Sequence, residues 1–230
     1  MSQQVVILAA GMGTRLNRPL PKPLTELRDG RSIMKQQIDN IRLAFNDDYR
    51  LIIVVGYKLE AIIERFPEAL FVYNELYDQT NTSKSLLKAL KASAAGGVMW
   101  FNGDVVFDPQ VLERVKPLLS ADESFVVVNT ARVSDEEVKY TLDEAGFIDQ
   151  LSKIVVDGLG EAVGINYVSS TDKERLIQRL SEVGDQDYFE RGIELAITND
   201  EVKFKAIDIS DLYAIEIDFD EDLQRVNELF

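Results

Sequence analysis

The stretch Val5-Val6-Ile7-Leu8-Ala9-Ala10-Gly11-Met12-Gly13-Thr14-Arg15-Leu16 decides how this chain folds. Six consecutive apolar residues without alternation suit a strand buried on both faces, and such strands belong to parallel sheets covered by helices. Gly11 and Gly13 then end the strand in a turn. Glycine has no Cβ, so backbone N–H groups there can approach phosphate oxygens, and Arg15 with Lys22 of Pro21-Lys22-Pro23-Leu24 places positive charge beside them. The turn reads either as a phosphate cradle or as an ordinary strand-to-helix connection. It is not a Walker loop, because the Gly-x-x-x-x-Gly-Lys-Ser/Thr spacing is absent, and it lacks the third glycine of a dinucleotide fingerprint.

Outward from this turn, strand and helix patterns alternate. Ser32 to Phe45 carries Ile33, Ile38, Ile41 and Phe45 at helical spacing, and Leu51 to Gly56 reads as a second buried strand. Leu59 to Phe66 reads as a helix, Phe71 to Tyr73 as a short strand and Ser83 to Ala95 as a helix stopped by Gly96-Gly97. Val98 to Asp104 reads as a central strand with a polar end. Further strands are expected at Ser124 to Thr130, Lys139 to Leu142 and Gly164 to Val168, with a hairpin turn at Glu144 to Phe147. Helices are expected at Lys173 to Glu182, Phe189 to Ile197 and Asp220 to Phe230. The pattern predicts an α/β fold: a mostly parallel, Rossmann-like sheet in three layers with a smaller mixed portion. One domain over residues 1–230 is expected, in two parts, about residues 1–120 and about residues 121–230. Ligands of such sheets bind beyond the carboxyl ends of the strands, which brings the turn after Leu8, Gly56-Tyr57 and Asn102-Gly103-Asp104 to one crevice.

Composition narrows the chemistry. The chain has no cysteine and no histidine, which excludes disulfides, thiolate zinc sites, cysteine nucleophiles and imidazole bases. Carboxylates, Lys, Arg, Tyr, hydroxyls and backbone remain, and carboxylates beside phosphate favour a hard cation such as Mg²⁺. With 25 basic and 40 acidic residues the net charge is −15, which repels a nucleic-acid backbone but leaves room for a small, locally basic nucleotide site. No apolar run approaches the roughly 20 residues needed to span a membrane, and the first residues lack the basic and cleavage-site features of a signal peptide, so a cytoplasmic, membrane-free protein is expected.

Several other residues are candidates on their own chemistry. Asp104, at the end of a central strand, either holds a cation against phosphates or caps a turn. Thr82 or Ser83 suits a helix N-cap. Tyr188 and Glu190, together with Glu216, either present aromatic and carboxylate surface to a cationic ligand or belong to the core. Lys153 is a further basic candidate for a phosphate group, though no motif fixes it there.

The string from Leu8 to Leu16, followed by Pro-Lys-Pro-Leu, resembles the signature of the sugar-nucleotide pyrophosphorylase and cytidylyltransferase superfamily, whose strand leads into Leu-Ala-Ala-Gly-x-Gly-Thr/Ser-Arg-Leu. The resemblance implies that Leu8, Ala10, Gly11 and Gly13 hold a nucleotide and that Arg15 and Lys22 are catalytic cations on its phosphates. It implies Asp104 and Asp218 as metal ligands, with Asp220 left to cap the last helix. The loop of Asn81 and Ser83 resembles one near the base and ribose of phosphocholine-type cytidylyltransferases. Glu161 and Gly164, in Glu-x-x-Gly, resemble a segment beside the acceptor, where Tyr188, Glu190 and Glu216 are also expected. The implied activity is Mg²⁺-dependent transfer of a nucleotide, CTP by preference, to a small phosphorylated acceptor of the phosphocholine or aminoethylphosphonate type. Sugar-1-phosphate or inositol-phosphate transfer with UTP, dTTP or CTP is the nearest alternative, and a non-catalytic nucleotide-binding regulator is the alternative of another class.

Overall fold

The computed structural model describes residues 2–16, 18–131 and 137–229. Strand β1 (Gln3–Ala9) lies inside the sheet, hydrogen-bonded on both edges, and Val5, Val6 and Ile7 are wholly buried. After two 3₁₀ turns, at Thr14–Leu16 and Lys22–Leu24, come α1 (Ile33–Phe45), β2 (Tyr49–Val55), α2 (Leu59–Ile63), β3 (Leu70–Tyr73), α3 (Thr82–Ala92) and β4 (Val98–Asn102). Then follow β5 (Val105–Phe107), α4 (Gln110–Ser120), β6 (Phe125–Asn129), β7 (Lys139–Leu142), β8 (Ile148–Ser152) and β9 (Glu161–Val168). The chain closes through α5 (Lys173–Glu182), α6 (Phe189–Asp200), β10 (Lys205–Asp208), β11 (Ala214–Glu216) and α7 (Asp220–Asn227).

The main sheet runs β10-β6-β9-β4-β1-β2-β3, and the β7/β8 hairpin pairs onto β9. All neighbours in this order are parallel except β9, which is antiparallel to both β4 and β6. Successive residues of β1 point to opposite faces. Val5, Ile7 and Ala9 pack with Met34, Ile38 and Ile41 of α1 and Val111, Leu112 and Val115 of α4. Val6, Leu8 and Ala10 pack with Leu86 and Leu90 of α3 and with buried residues of α5 and α6. The expected three-layer, mostly parallel α/β arrangement is therefore present. From β1 the chain first builds β2 and β3 on one side, then returns to lay β4 on the other, which makes the carboxyl ends of β1 and β4 a topological switch point.

The strand expected from Val98 to Asp104 ends two residues early. Gly103 N donates to Leu8 O at 3.0 Å, drawing the backbone against β1 so closely that a Cβ at Gly103 would lie 2.5 Å from that oxygen. The chain resumes as β5, which leaves the main sheet and pairs antiparallel with β11. Asp104 thus occupies the turn between two strands. Helix α4 and the short strands β10 and β11 have no counterpart among the expected elements.

Two expected caps differ. Asn81, not Thr82 or Ser83, caps α3, its side-chain oxygen accepting from Thr82 N at 2.8 Å. Asp220 is the first residue of α7 and pairs with Arg18, while Asp222 reaches back to accept from Asp218 N and Phe219 N at 3.1 and 2.9 Å. The last residue of the helix expected from Asp220, Phe230, lies outside the described residues. No helix among the described residues is long and apolar enough to cross a membrane.

Candidate active site

A cleft of about 550 Å³ opens at the switch point. It brings together eleven of the residues expected from sequence: Leu8, Gly11, Gly13, Arg15, Lys22, Asp104, Gly164, Tyr188, Glu190, Glu216 and Asp218. The glycine turn forms one wall. At Gly11 an added Cβ would meet nothing within 4 Å, so this backbone faces open space. Gly13 differs: its φ is +58°, and a Cβ there would lie 2.7 Å from Lys22 Cβ.

Beside the turn stands a charge cluster. Lys22 Nζ donates to Asp104 Oδ2 at 2.7 Å and to Asp218 Oδ1 at 2.6 Å, and Arg15 donates to Asp218 Oδ2 at 2.6 Å. Burial alone would lower the Lys22 pKa, but Asp104 and then Asp218 outweigh it and hold the ammonium above the ordinary lysine value. Burial likewise opposes the Asp218 carboxylate, yet Lys22 and Arg15 keep its pKa below the usual range. Glu216 joins Asp104 and Asp218, with one oxygen from each lying within 4.8 Å of the others. The Asp104 charge, aided by burial, pushes the Glu216 pKa well above its ordinary value. Asp104 Oδ1 is enclosed without a hydrogen-bond partner. Three crowded carboxylates, one with an unsatisfied oxygen, form the all-oxygen donor set that suits a hard divalent cation.

Helix α1 fixes the turn that carries Asp104. Ser32 caps this helix, accepting from Lys35 N at 3.2 Å, and its buried face holds amides as well as aliphatic residues. Gln37 Nε2 donates to Asn102 O and Val105 O, both at 2.8 Å, bracketing Gly103 and Asp104. Gln36 and Asn40 both donate to Phe107 O, at 2.7 and 2.8 Å. Buried carbonyls that leave a sheet need such donors. Beyond Asp104, Ile217 N donates to Asp104 O at 3.0 Å, bringing the β11 segment and its acidic residues to the cleft.

Further lining comes from β9 and α6. Gly164, at φ +71°, backs onto Asn102, whose Nδ2 would lie 2.7 Å from an added Cβ. Glu190 sits in the first turn of α6, and burial pushes its pKa up to about 7. Lys153 Nζ lies 5.0 Å from the centre of the Tyr188 ring. Glu137 also lines the cleft, its pKa raised by burial and then by Glu161.

Four expected residues stand apart. Ala10 is buried in the core, where its carbonyl accepts from Tyr57 N at 3.0 Å. Ser83 is fully buried, and Asn81 is tied to the loop near Gln186, donating to its carbonyl at 3.3 Å; Thr82 between them lines the cleft instead. Glu161 lines an adjoining cleft of about 730 Å³ that shares Glu137, Glu216 and Asp218 with the first. Glu216, expected beside the acceptor, lies within the carboxylate cluster. Thr82 and Glu137 were not expected; the polar Asn81-Thr82-Ser83 run signalled the first, whereas nothing local distinguished Glu137 among many surface acids.

Known proteins resemble this chain in sequence or in fold. The chain is 26% identical over 182 residues to the bifunctional protein GlmU of Francisella philomiragia, spanning 79% of this chain but only 37% of that protein. It is 35% identical over 121 residues to the CMP-5'-(3-aminopropyl)phosphonate synthase of Streptomyces rubellomurinus, covering 49% of this chain and 19% of that one. Its fold matches that of the CTP:phosphocholine cytidylyltransferase from Streptococcus pneumoniae with a TM-score of 0.77 at 20% identity, covering 100% and 99% of the two chains. The family model for the MobA-like NTP transferase domain matches residues 5–183, which span the glycine turn, Lys22, Asp104 and Gly164, and the chain belongs to that family.

Proposed function

We propose that this protein is a Mg²⁺-dependent cytidylyltransferase that joins CTP to a small phosphorylated acceptor of the phosphocholine or aminoethylphosphonate type, with release of pyrophosphate. The observation that carries this reading is the meeting of Arg15, Lys22 and the Asp104/Glu216/Asp218 cluster in the cleft that the open backbone at Gly11 also lines. Residues before about 120 form the nucleotide side of the cleft and residues after it supply most of the acceptor side. The similarity to an aminopropylphosphonate synthase that yields a CMP adduct supports both the base and the acceptor class.

Gly11 and its neighbours would let the triphosphate lie against the turn, with Arg15 and Lys22 reaching its oxygens from their present partners. Asp104, Asp218 and Glu216 would hold Mg²⁺, which when bound neutralises charge on the triphosphate. A phosphate or phosphonate oxygen of the acceptor forms a bond to the α-phosphorus while the bond to the bridging oxygen of pyrophosphate breaks. The attacking oxygen is already anionic near neutral pH, so no protein base is needed. Catalysis then rests on alignment and on cations placed where charge develops.

Incubation with each nucleoside triphosphate, Mg²⁺ and a panel of acceptors, followed by pyrophosphate release, tests the reading. CTP with phosphocholine or an aminoalkyl phosphate or phosphonate should give the highest turnover. Turnover confined to sugar or inositol phosphates, or to UTP or dTTP, would refute it.

A further inference from the structure

Glu190 lines the cleft, and one of its carboxyl oxygens, enclosed behind that lining, is left unanswered by the fold. The residue is 7% exposed, and Oε2 is enclosed without a hydrogen-bond partner. An unmatched buried acceptor costs roughly 1–3 kcal/mol. Its persistence at a cleft wall is accounted for if a ligand supplies the donor. The charges of Glu137 and Glu194 also act on Glu190, so two further acids favour a cation there. Lys153 contributes the opposing positive charge, but its ammonium lies over the Tyr188 ring.

The type of cation follows from the aromatic residues. A quaternary ammonium has no N–H to donate and is held by aromatic faces. Among the described residues of this cleft, Phe189 is 1% exposed and meets Trp100 edge-on at 5.6 Å within the core, and the Tyr188 ring already carries Lys153. No aromatic cage is assembled from them. A primary ammonium instead offers three donors, and an enclosed oxygen can take one.

We infer that the acceptor carries a primary ammonium that donates a hydrogen bond to the Glu190 carboxylate, turned toward the cleft, and that quaternary ammonium acceptors are discriminated against at this position. The inference rests on the acceptor reading above and adds a choice within it. Glu190 is thereby the residue that sets specificity for the end of the acceptor remote from the reacting oxygen.

The test uses two acceptors with the same phosphate and the same two-carbon chain, phosphoethanolamine and its trimethylated counterpart phosphocholine. With CTP and Mg²⁺, kcat/KM for the primary amine should exceed that for the trimethylated one by at least about tenfold. Glu190→Gln should raise KM for the primary amine and bring the ratio to within about threefold of unity, with thermal melting recorded to establish that the variant folds. The wild-type ratio stands as an independent measurement if that variant does not fold. Equal or better use of phosphocholine by the wild-type protein, or an unchanged ratio in a folded Glu190→Gln, would overturn the inference while leaving the acceptor reading intact. Turnover of sugar phosphates alone would overturn both.

Discussion

Gly13 and Lys22 pack backbone against side chain, so closely that a single methyl at Gly13 would lie 2.7 Å from Lys22 Cβ. Because Gly13 also has φ +58°, Gly13→Ala should lose about 1–3 kcal/mol of stability from strain and displace Lys22 from its carboxylates. Gly11→Ala should leave stability unchanged but weaken nucleotide binding, because its Cβ projects into open space. Chemical denaturation of both variants, with nucleotide titration, checks the contrast. Equal stability losses would show that both glycines serve only the turn.

Lys22→Met removes the ammonium that bridges Asp104 and Asp218. Leaving partly buried carboxylates uncompensated should cost up to roughly 3–5 kcal/mol in the presence of a chelator. Millimolar Mg²⁺ should restore much of this loss in the variant and change the wild-type melting temperature far less. Turnover should fall by about 10²–10³ even with Mg²⁺ present. A variant whose melting temperature ignores Mg²⁺ would exclude the carboxylate cluster as the cation site.

Gln37→Leu deletes two donors to the turn bearing Asp104 without touching the cleft surface. Stability should fall by about 1–3 kcal/mol for the two carbonyls left short of a donor. If the amide positions Asp104, kcat should fall and the Mg²⁺ concentration for half-maximal rate should rise, while the acceptor KM stays near its wild-type value. A variant that loses stability alone would show that Gln37 supports the fold and not the site.

The pKa of Glu190 gives stability a pH dependence of known sign. Burial raises it from 4.5 to about 7, so the folded protein holds this proton more tightly than the unfolded chain. Its contribution is fully present below about pH 4.5 and is lost as pH rises through 7. Glu190→Gln should therefore match the wild type near pH 4.5 and exceed it at pH 8 by on the order of 2–3 kcal/mol. Denaturant unfolding at the two pH values measures this, and parallel behaviour would show that Glu190 is ionised throughout.

Much of this organisation is legible in the sequence because the sheet is buried on both faces. The unbroken apolar runs at Val5–Ala10 and Leu51–Val55 could then be little else. Helix α4 escaped because Pro109 and Pro117 flank and interrupt the pattern of Val111, Leu112 and Val115, yet one proline precedes the helix and the other is accommodated inside it. Strand β11 has three residues and exists through its pairing with β5, a partner that no local pattern reveals. The shift from Ser83 to Thr82 at the cleft is one helical position, a rotation of about 100° that separates a buried residue from a lining one. The place of Glu216 follows from its spacing of two from Asp218, since extended backbone returns alternate side chains to one side.

Arg15 and Asp218 meet across 203 positions of sequence, and Lys22 and Asp218 across 196. Contacts of such separation close very long loops and are expected late in folding, after β1, β2 and β4 have associated. A folding intermediate with the sheet formed and β11 undocked would present the glycine turn while lacking two of the three clustered carboxylates. Recovery of Mg²⁺-dependent stabilisation during refolding would thus time the docking of the β11 segment, separately from the burial of Trp100 within the sheet.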